Sequence, residues 1–258
     1  MGVSGPDASS YLQRMVSNDI EVLAPGDSCE ALLLTAKGRL VAPMTVWRRG
    51  PDDYLLLTEP DLADRLSDEL RRSRFAAKAE IETEEHASVL VVGREAPPGG
   101  IANREFGQAA YELVDDTPPD WAKIDDDELE RLRIRARTPR FGHELDERVL
   151  PAEAGLDERA ISFTKGCYPG QEPIARLHYR GHANRSLRVL ALDGDDVPSF
   201  DTELRHEGKA VGRVTSSAPD PEVGVIALAY VRTDVPVDAV LDLEGREARQ
   251  LDGDGASN

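Results

Sequence analysis

The chain has 258 residues, 40% hydrophobic and 31% charged, which is typical of a soluble globular protein. Its net charge of -18 argues against general coating of nucleic acid, because the surface as a whole would repel phosphates. Two cysteines are too few for a disulfide framework, a four-thiolate zinc site or an iron–sulfur cluster held by this chain alone. The acidity, with lysine scarce, fits either GC-rich codon usage or adaptation to high salt.

Hydrophobic periodicity and turn residues predict α+β structure followed by a run of short strands. The expected elements of the first part are a helix over 8–20, a hairpin of strands over 30–34 and 39–46, a strand over 54–58 and a helix over 61–73. Next come strands over 89–93 and 110–114, a polar linker over 115–120 and a helix over 125–137. Strands over 187–192, 210–215, 223–231 and 240–243 predict a small antiparallel barrel or sandwich, followed by a frayed tail from residue 251.

One cysteine lies in a conspicuous stretch, TKGCYPGQE, at residues 164–172. The residues after it predict a helix over 174–179, with Glu172 near its cap and Gly181 as its stop. Cys167 would then lie near a helix N-terminus and beside Lys165, and both features favour the reactive thiolate. A small buried filler is the alternative for this cysteine, and it is the role we expect of Cys29.

The same region is cationic within an acidic chain. Two readings stay open: a site for an anion, or arginines that pair with surplus carboxylates at a domain interface. The residues concerned are Lys165, Arg176, Arg180, Arg185 and Arg188, against the single acid Glu172.

Several common signatures are absent from the sequence. It has no phosphate-binding P-loop, no GxGxxG, no HExxH and no histidine spacing that suggests a metal site, so we predict no metal. It has no apolar run of about 18 residues and no signal or transit pattern at its N-terminus. We therefore expect a cytoplasmic protein that does not enter a membrane.

The stretch KGCYPGQE followed by IARLHYRG resembles the signature of the YgfZ family, folate-binding proteins linked to maintenance of iron–sulfur proteins. The blocks YLQRMVSNDI, LLLTAKGRLVAPMTVW, LRIRARTPRFGHELDERVLPAEAGLD and VGRVTSSAPDPEVGVIALAYV fit as well. The similarity spans almost the whole chain. The cysteine motif is its specific part, and the rest is shared with the wider glycine-cleavage T-protein, or aminomethyltransferase, superfamily.

The resemblance implies an aminomethyltransferase-like α+β fold around a central folate pocket. It has two α+β subdomains, at 1–75 and at 76–185 with the cysteine motif, and a C-terminal β-barrel at 186–258. The implied cofactor is tetrahydrofolate or a derivative, and the implied partners are iron–sulfur proteins or their assembly factors. A link to tRNA modification is also implied, for which the basic run at 71–74 and the stretch at 176–188 offer weak support.

The resemblance also implies site residues. Cys167 is the key thiol, with Lys165 holding it as thiolate. Glu112, in AAYELV, matches a glutamate that binds the pterin ring, and Arg176 neighbours the anionic tail of folate. Asn18 and Asp19 match an Asn-Asp pair at a helix end, whose other reading is C-capping of that helix. The further motif residues are Gly166, Tyr168, Gly170, Gln171 and Glu172.

One departure from the superfamily bears on activity. An acidic pair that assists one-carbon chemistry in aminomethyltransferases is replaced here by Ala42 and Pro43, and neither can exchange a proton. We therefore expect a tetrahydrofolate-binding protein that supports iron–sulfur cluster assembly or repair through Cys167. The alternatives are a folate-dependent aminomethyltransferase or demethylase, and a non-catalytic interaction module.

Overall fold

The computed structural model describes residues 1–107, 109–116 and 121–251. Three β-sheets follow one another along this part of the chain, each with antiparallel pairing between neighbouring strands. No helix within these ranges is long and apolar enough to cross a membrane. The predictions for the linker beyond residue 116 and for the tail beyond residue 251 concern residues outside the described ranges.

The first sheet has five strands in the spatial order β2-β3-β4-β1-β5. Its strands are β1 (Gly2–Ser4), β2 (Ser28–Leu34), β3 (Leu40–Gly50), β4 (Asp53–Leu57) and β5 (Glu80–Glu82). Two helices cover one face, α1 (Ala8–Met15) and α2 (Ala63–Ser73). The Tyr11 hydroxyl of α1 donates to the Leu70 carbonyl of α2 at 2.5 Å, which joins the two helices inside the core.

Strand β2 shows how this sheet is buried on both faces. Side chains alternate along a strand, so Ala31 and Leu33 pack into the helix-covered core. Leu32 and Leu34 point the other way, into a second core that includes Tyr168 of the cysteine motif and apolar side chains of the C-terminal barrel. The hairpin predicted at 30–46 therefore lies at the centre of the molecule.

Helix α1 is shorter than the predicted helix over 8–20. It ends at Met15, and Val16 is extended and forms a bridge with Leu33. The next side chain, Ser17, is fully buried, donates to the Ala160 carbonyl at 2.6 Å and accepts from the Leu32 amide at 2.8 Å. These tertiary hydrogen bonds hold the chain in a non-helical path.

The second sheet has three strands in the order β6-β8-β7: β6 (Ser88–Val92), β7 (Ile101–Asn103) and β8 (Ala110–Val114). Helix α3 (Asp126–Arg135) follows, and the Asp125 side chain caps it by accepting from the Glu128 amide at 2.7 Å. Arg133 of α3 is buried and donates to Glu144 at 3.1 Å and to Ser216 of the barrel at 2.7 Å. This helix is thereby fastened to the C-terminal part of the chain.

The C-terminal strands form a closed barrel in the order β10-β11-β12-β9-β14-β13. Its strands are β9 (Arg185–Leu192), β10 (Glu203–His206), β11 (Lys209–Asp220), β12 (Gly224–Arg232), β13 (Leu241–Leu243) and β14 (Arg246–Gln250). Of the two predicted architectures, barrel or sandwich, the barrel is the one that forms. The subdomain boundaries stay predictions, and β5 extends the first sheet past the predicted limit at residue 75.

Candidate functional site

A cavity of about 330 Å³ lies between the first two sheets and the segment that leads to the cysteine motif. Its walls include Pro43 on β3, Glu112 on β8 and Leu156 in the later segment. A cavity of this size, bordered by several subdomains, is where proteins commonly bind small molecules.

Glu112 faces this cavity from the middle of β8. The register pairs it with Leu90 on one side and Ile101 on the other. The Ser88 hydroxyl donates to Glu112 Oε1 at 3.4 Å, a long hydrogen bond. Burial raises the pKa of the Glu112 carboxyl, and the Ser88 contact opposes that shift. Glu112 therefore lines the cavity, and its contact with a pterin stays a prediction.

Three further carboxylates line the cavity, and sequence reasoning missed them: Glu30, Glu59 and Glu105. Arg159 lies on the same wall and pairs with Glu30 at 2.9 Å between Nε and Oε2. Glu59 Oε1 accepts from the Phe141 amide at 3.0 Å. Of the three, only Glu59 directly follows a predicted strand, and a charged residue at such a position is ordinarily solvated.

Of the two residues that replace the acidic pair of the aminomethyltransferases, one lines this cavity. Ala42 is fully buried in the first core, whereas Pro43 lines the cavity. A carboxylate at position 43 would therefore border the cavity, whereas the proline has no ionisable side chain.

The cysteine motif packs against the β2–β3 hairpin through two glycines. Gly170 has a φ of 83°, and a Cβ atom there would lie 2.5 Å from the Thr35 carbonyl oxygen and 2.9 Å from the Gly38 Cα atom. Gly170 is the N-cap of helix α4 (Gln171–Arg180), which ends at Gly181 as predicted. The helix begins three residues before the predicted Ile174, because Gly170 turns the chain directly into it.

Cys167 is exposed and does not line the cavity. Its neighbour Tyr168 is buried in the core shared with the barrel, and burial raises the pKa of that phenol to about 12. Gly166 is exposed, and an added Cβ atom there would meet nothing within 4 Å. Gln171 is half-buried and Glu172 exposed, both in the first turn of α4. The Cys167 thiol is thus exposed on a loop that the buried Tyr168 side chain anchors.

The Lys165 side chain contacts the segment that follows α1. Its ammonium donates to the Val16 carbonyl at 2.8 Å and to the Asn18 carbonyl at 2.6 Å. Burial lowers the pKa of Lys165 to about 8, opposed by the nearby charge of Asp19. These contacts tie the motif loop to the segment after α1, and the predicted effect of Lys165 on the Cys167 thiolate stays a prediction.

Asn18 and Asp19 lie beside the cavity wall and do not line it. The Asn18 amide donates to the carbonyls of two cavity residues, Glu30 at 2.7 Å and Arg159 at 3.2 Å. Asp19 Oδ1 accepts from the Gln13 amide at 3.0 Å. Since Val16 is the C-cap of α1, neither residue caps that helix; Asn18 instead binds the backbone of two cavity residues, and Asp19 binds Gln13 of α1.

The predicted cationic stretch divides into internal and external residues. Arg185 pairs with Glu153 at 3.1 Å and lies over the Tyr230 ring, while buried Arg188 donates to backbone carbonyls such as that of Val235. Arg176 and Arg180 are exposed on α4, and Arg176 does not line the cavity. The reading as an arginine paired with a carboxylate fits Arg185, whereas Arg188 binds backbone carbonyls of the barrel region.

Comparisons with known proteins find relatives that match most of the chain. The family model described as the GCVT N-terminal domain matches residues 1–97. The tRNA-modifying protein YgfZ of Edwardsiella ictaluri is 31% identical, over 97% of this chain and 87% of that protein. The aminomethyltransferase of Bacillus subtilis is 25% identical, over 95% of this chain and 80% of that protein.

A solved structure matches as well. The aminomethyltransferase T of the glycine cleavage system from Bartonella henselae superimposes with a TM-score of 0.80 at 18% identity, over 97% of this chain and 81% of that one. The match confirms the predicted aminomethyltransferase-like fold.

Proposed function

The chain belongs to the family of the tRNA-modifying protein YgfZ, and on that premise we propose that it binds a reduced folate in the central cavity and supports iron–sulfur proteins through Cys167. The observation that carries the proposal is the separation of two features. Glu112 faces the cavity, whereas the Cys167 thiol is exposed outside it. The chain therefore offers one surface for a small molecule and another for a protein partner.

The residues of the cavity fit a reduced folate. A carboxylate accepts paired N–H donors, which the amino group and ring nitrogens of a pterin provide, and we assign this role to Glu112, which lines the cavity. Two buried polar atoms of cavity residues, Glu30 Oε1 and Thr138 Oγ1, have no hydrogen-bond partner among the residues that the structure describes. A bound reduced folate would supply a carrier for one-carbon units. Contact of Arg176 with its anionic tail remains part of the proposal.

The exposed position of Cys167 supports chemistry on a partner. An accessible thiol can exchange with a sulfur, or ligate a metal, that another protein presents. Cys29 is less suited to this, since burial raises the pKa of its thiol to about 12 and it packs against the first core. Lys165 would act here by fixing the loop that presents the thiol.

A folate-dependent aminomethyltransferase or demethylase is the second candidate function. It is favoured by the aminomethyltransferases among the relatives and by the carboxylates of the cavity, and it is opposed by Ala42 and Pro43. The other alternative, a non-catalytic interaction module, would have the same fold and would not bind folate.

The link to tRNA modification rests on the name of the relatives, and we assign it to a partner enzyme. In the basic run at 71–74, Arg71 donates to the Ile81 carbonyl, and exposed Arg72 pairs with Glu69 on its own helix. An acidic chain with this arrangement has little capacity to hold RNA directly.

Two measurements test the proposal. Calorimetry with folinic acid should give saturable binding that Glu112→Gln weakens by about tenfold or more and that Glu203→Gln, on the barrel surface, leaves unchanged. Absence of binding heat at high micromolar folinic acid would favour the non-catalytic interaction module.

In cells lacking the protein, Cys167→Ala should fail to restore a cluster-dependent enzyme while Cys29→Ala restores it. Full restoration by Cys167→Ala would remove the thiol from the function.

A further inference from the structure

A short linker, residues 83–87, joins the first sheet to the second. It runs from the end of β5 to Ser88, the first residue of β6. Ser88 lines the cavity and donates to Glu112 on β8, so the linker leads directly into the wall to which we assign pterin binding. The position of the second sheet relative to the first therefore affects the shape of the cavity.

His86 in this linker lies between two carboxylates. Its Nδ1 atom is 2.6 Å from Asp115 Oδ2, and its Nε2 atom is 2.7 Å from Glu84 Oε2. Asp115 directly follows β8, and its other carboxylate oxygen accepts from the Ala87 amide at 3.0 Å. His86 thus joins the linker to the end of the strand that carries Glu112.

Glu84 extends this contact to the first sheet. Its two oxygens accept from the guanidinium of Arg49 on β3 at 2.7 and 2.9 Å, and Arg49 also pairs with Asp53 on β4. The N-terminal ammonium of Met1 is a further positive charge near Glu84. The groups that connect the two sheets in this way are called the latch: Arg49, Glu84, His86 and Asp115.

Only the protonated imidazole of His86 satisfies both carboxylates. Both ring N–H groups donate in the charged form, whereas the neutral ring has one N–H group and one lone pair, and the lone pair would face a carboxylate. Either neutral tautomer therefore loses one of the two contacts, which interrupts the latch. The hydrogen bond with Asp115, and then that with Glu84, raises the pKa of His86. The latch is thus complete below about pH 6.5, the ordinary value for histidine, and it opens as the pH rises through the raised value.

We propose that His86 is a positioning residue of the folate cavity, which in its protonated form fastens the second sheet, with Ser88 and Glu112, to the first. The inference rests on the proposed function, since it assigns a regulation of the same cavity. When the latch opens, the linker and the end of β8 are released from Arg49, and a reduced folate should bind more weakly.

The expected change in affinity is modest, because the latch is partly in contact with solvent. The side chain of His86 is 21% exposed and that of Asp115 56% exposed, and salt screens contacts of this kind. We therefore expect a factor of about five in affinity, at the low end of typical couplings between two sites.

The first test is the affinity for folinic acid, measured by calorimetry from about pH 6 to about pH 9. The Kd of the wild-type protein should rise by the factor of about five across this range, and His86→Gln should lack that factor. Asp115→Asn should lack it as well, because an asparagine side chain can donate to the neutral imidazole and accept from the charged one. Comparison with these variants separates the latch from Lys165, whose pKa of about 8 lies in the same range. Thermal melting checks that each variant is folded.

Hydrogen exchange without folinic acid tests the latch itself. The Ala87 amide bonds to Asp115 Oδ1, and the Asp115 amide bonds to the Ala87 carbonyl. Protection of these two amides, corrected for the intrinsic effect of pH on exchange, should fall over the same range, while protection of the β12 amides in the barrel should not.

Parallel affinity profiles in the wild type and His86→Gln, or unchanged protection of the Ala87 and Asp115 amides, would overturn the inference. If folinic acid does not bind at any pH, the proposed function fails, while the exchange measurement still decides whether the latch opens.

Discussion

Replacement of Gly170 by alanine should loosen the cysteine motif from the protein. The native φ of 83° is left-handed, which costs an alanine roughly 1–2 kcal/mol. The added Cβ atom would lie 2.5 Å from the Thr35 carbonyl oxygen and 2.9 Å from the Gly38 Cα atom. Both are backbone atoms that cannot rotate away, and such overpacking typically adds about 1–3 kcal/mol.

The expected total loss of stability is therefore roughly 2–5 kcal/mol, which for a chain of this size lowers the melting temperature by at least about 4 °C. Differential scanning calorimetry measures it. Gly166→Ala is the matched control in the same motif, since its φ is not in the left-handed region and its added Cβ atom meets nothing within 4 Å. If the two variants melted within about 1 °C of each other, the argument from close backbone approach would be refuted.

Three further outcomes follow from other contacts. Glu144→Gln should destabilise the protein by about 3 kcal/mol in urea denaturation, because it weakens the partner of buried Arg133; a loss below about 1 kcal/mol would contradict this. His86 bonds to Asp115 and Glu84, which raise its pKa, so this stabilisation is full below about pH 6.5 and is lost as pH rises through the raised value. His86→Gln should flatten the dependence of melting temperature on pH over that window, and an unchanged dependence would contradict this. Lys165→Met should speed hydrogen exchange in the loop at 163–168, and unchanged exchange would show that its two carbonyl contacts do not hold the loop.

The longer elements of the fold were predictable from local pattern. The β2–β3 hairpin, helix α2 and the long barrel strands bury regular apolar faces. Such faces produce a regular spacing of apolar residues in the sequence, which predicts the elements. Strands β1 and β5 have three residues each and exist because β1 pairs with β4 and β5 from distant parts of the chain. Such pairing leaves little signal in a window of sequence.

The candidate site was predictable only where the sequence itself is contiguous. The cysteine motif and Glu112 lie in recognisable stretches, whereas Glu30, Glu59 and Glu105 belong to three separate elements that meet only in the folded chain. Lys165 shows the opposite limit. It is two residues from Cys167 in sequence, yet its ammonium donates to the carbonyls of Val16 and Asn18, after α1. Closeness in sequence does not indicate which way a side chain points.

The contact between Gly170 and the hairpin also bears on how the protein is made. Residue 38 emerges from the ribosome long before residue 170. The loop that carries Cys167 packs on the β2–β3 hairpin, so it takes its final shape only once that hairpin has formed. Contacts between such distant parts of a chain form late, because closing a long loop costs entropy first. A thiol presented in its native geometry therefore reports that the N-terminal half has folded, and the cysteine motif reaches that geometry only late in the assembly of a newly made chain.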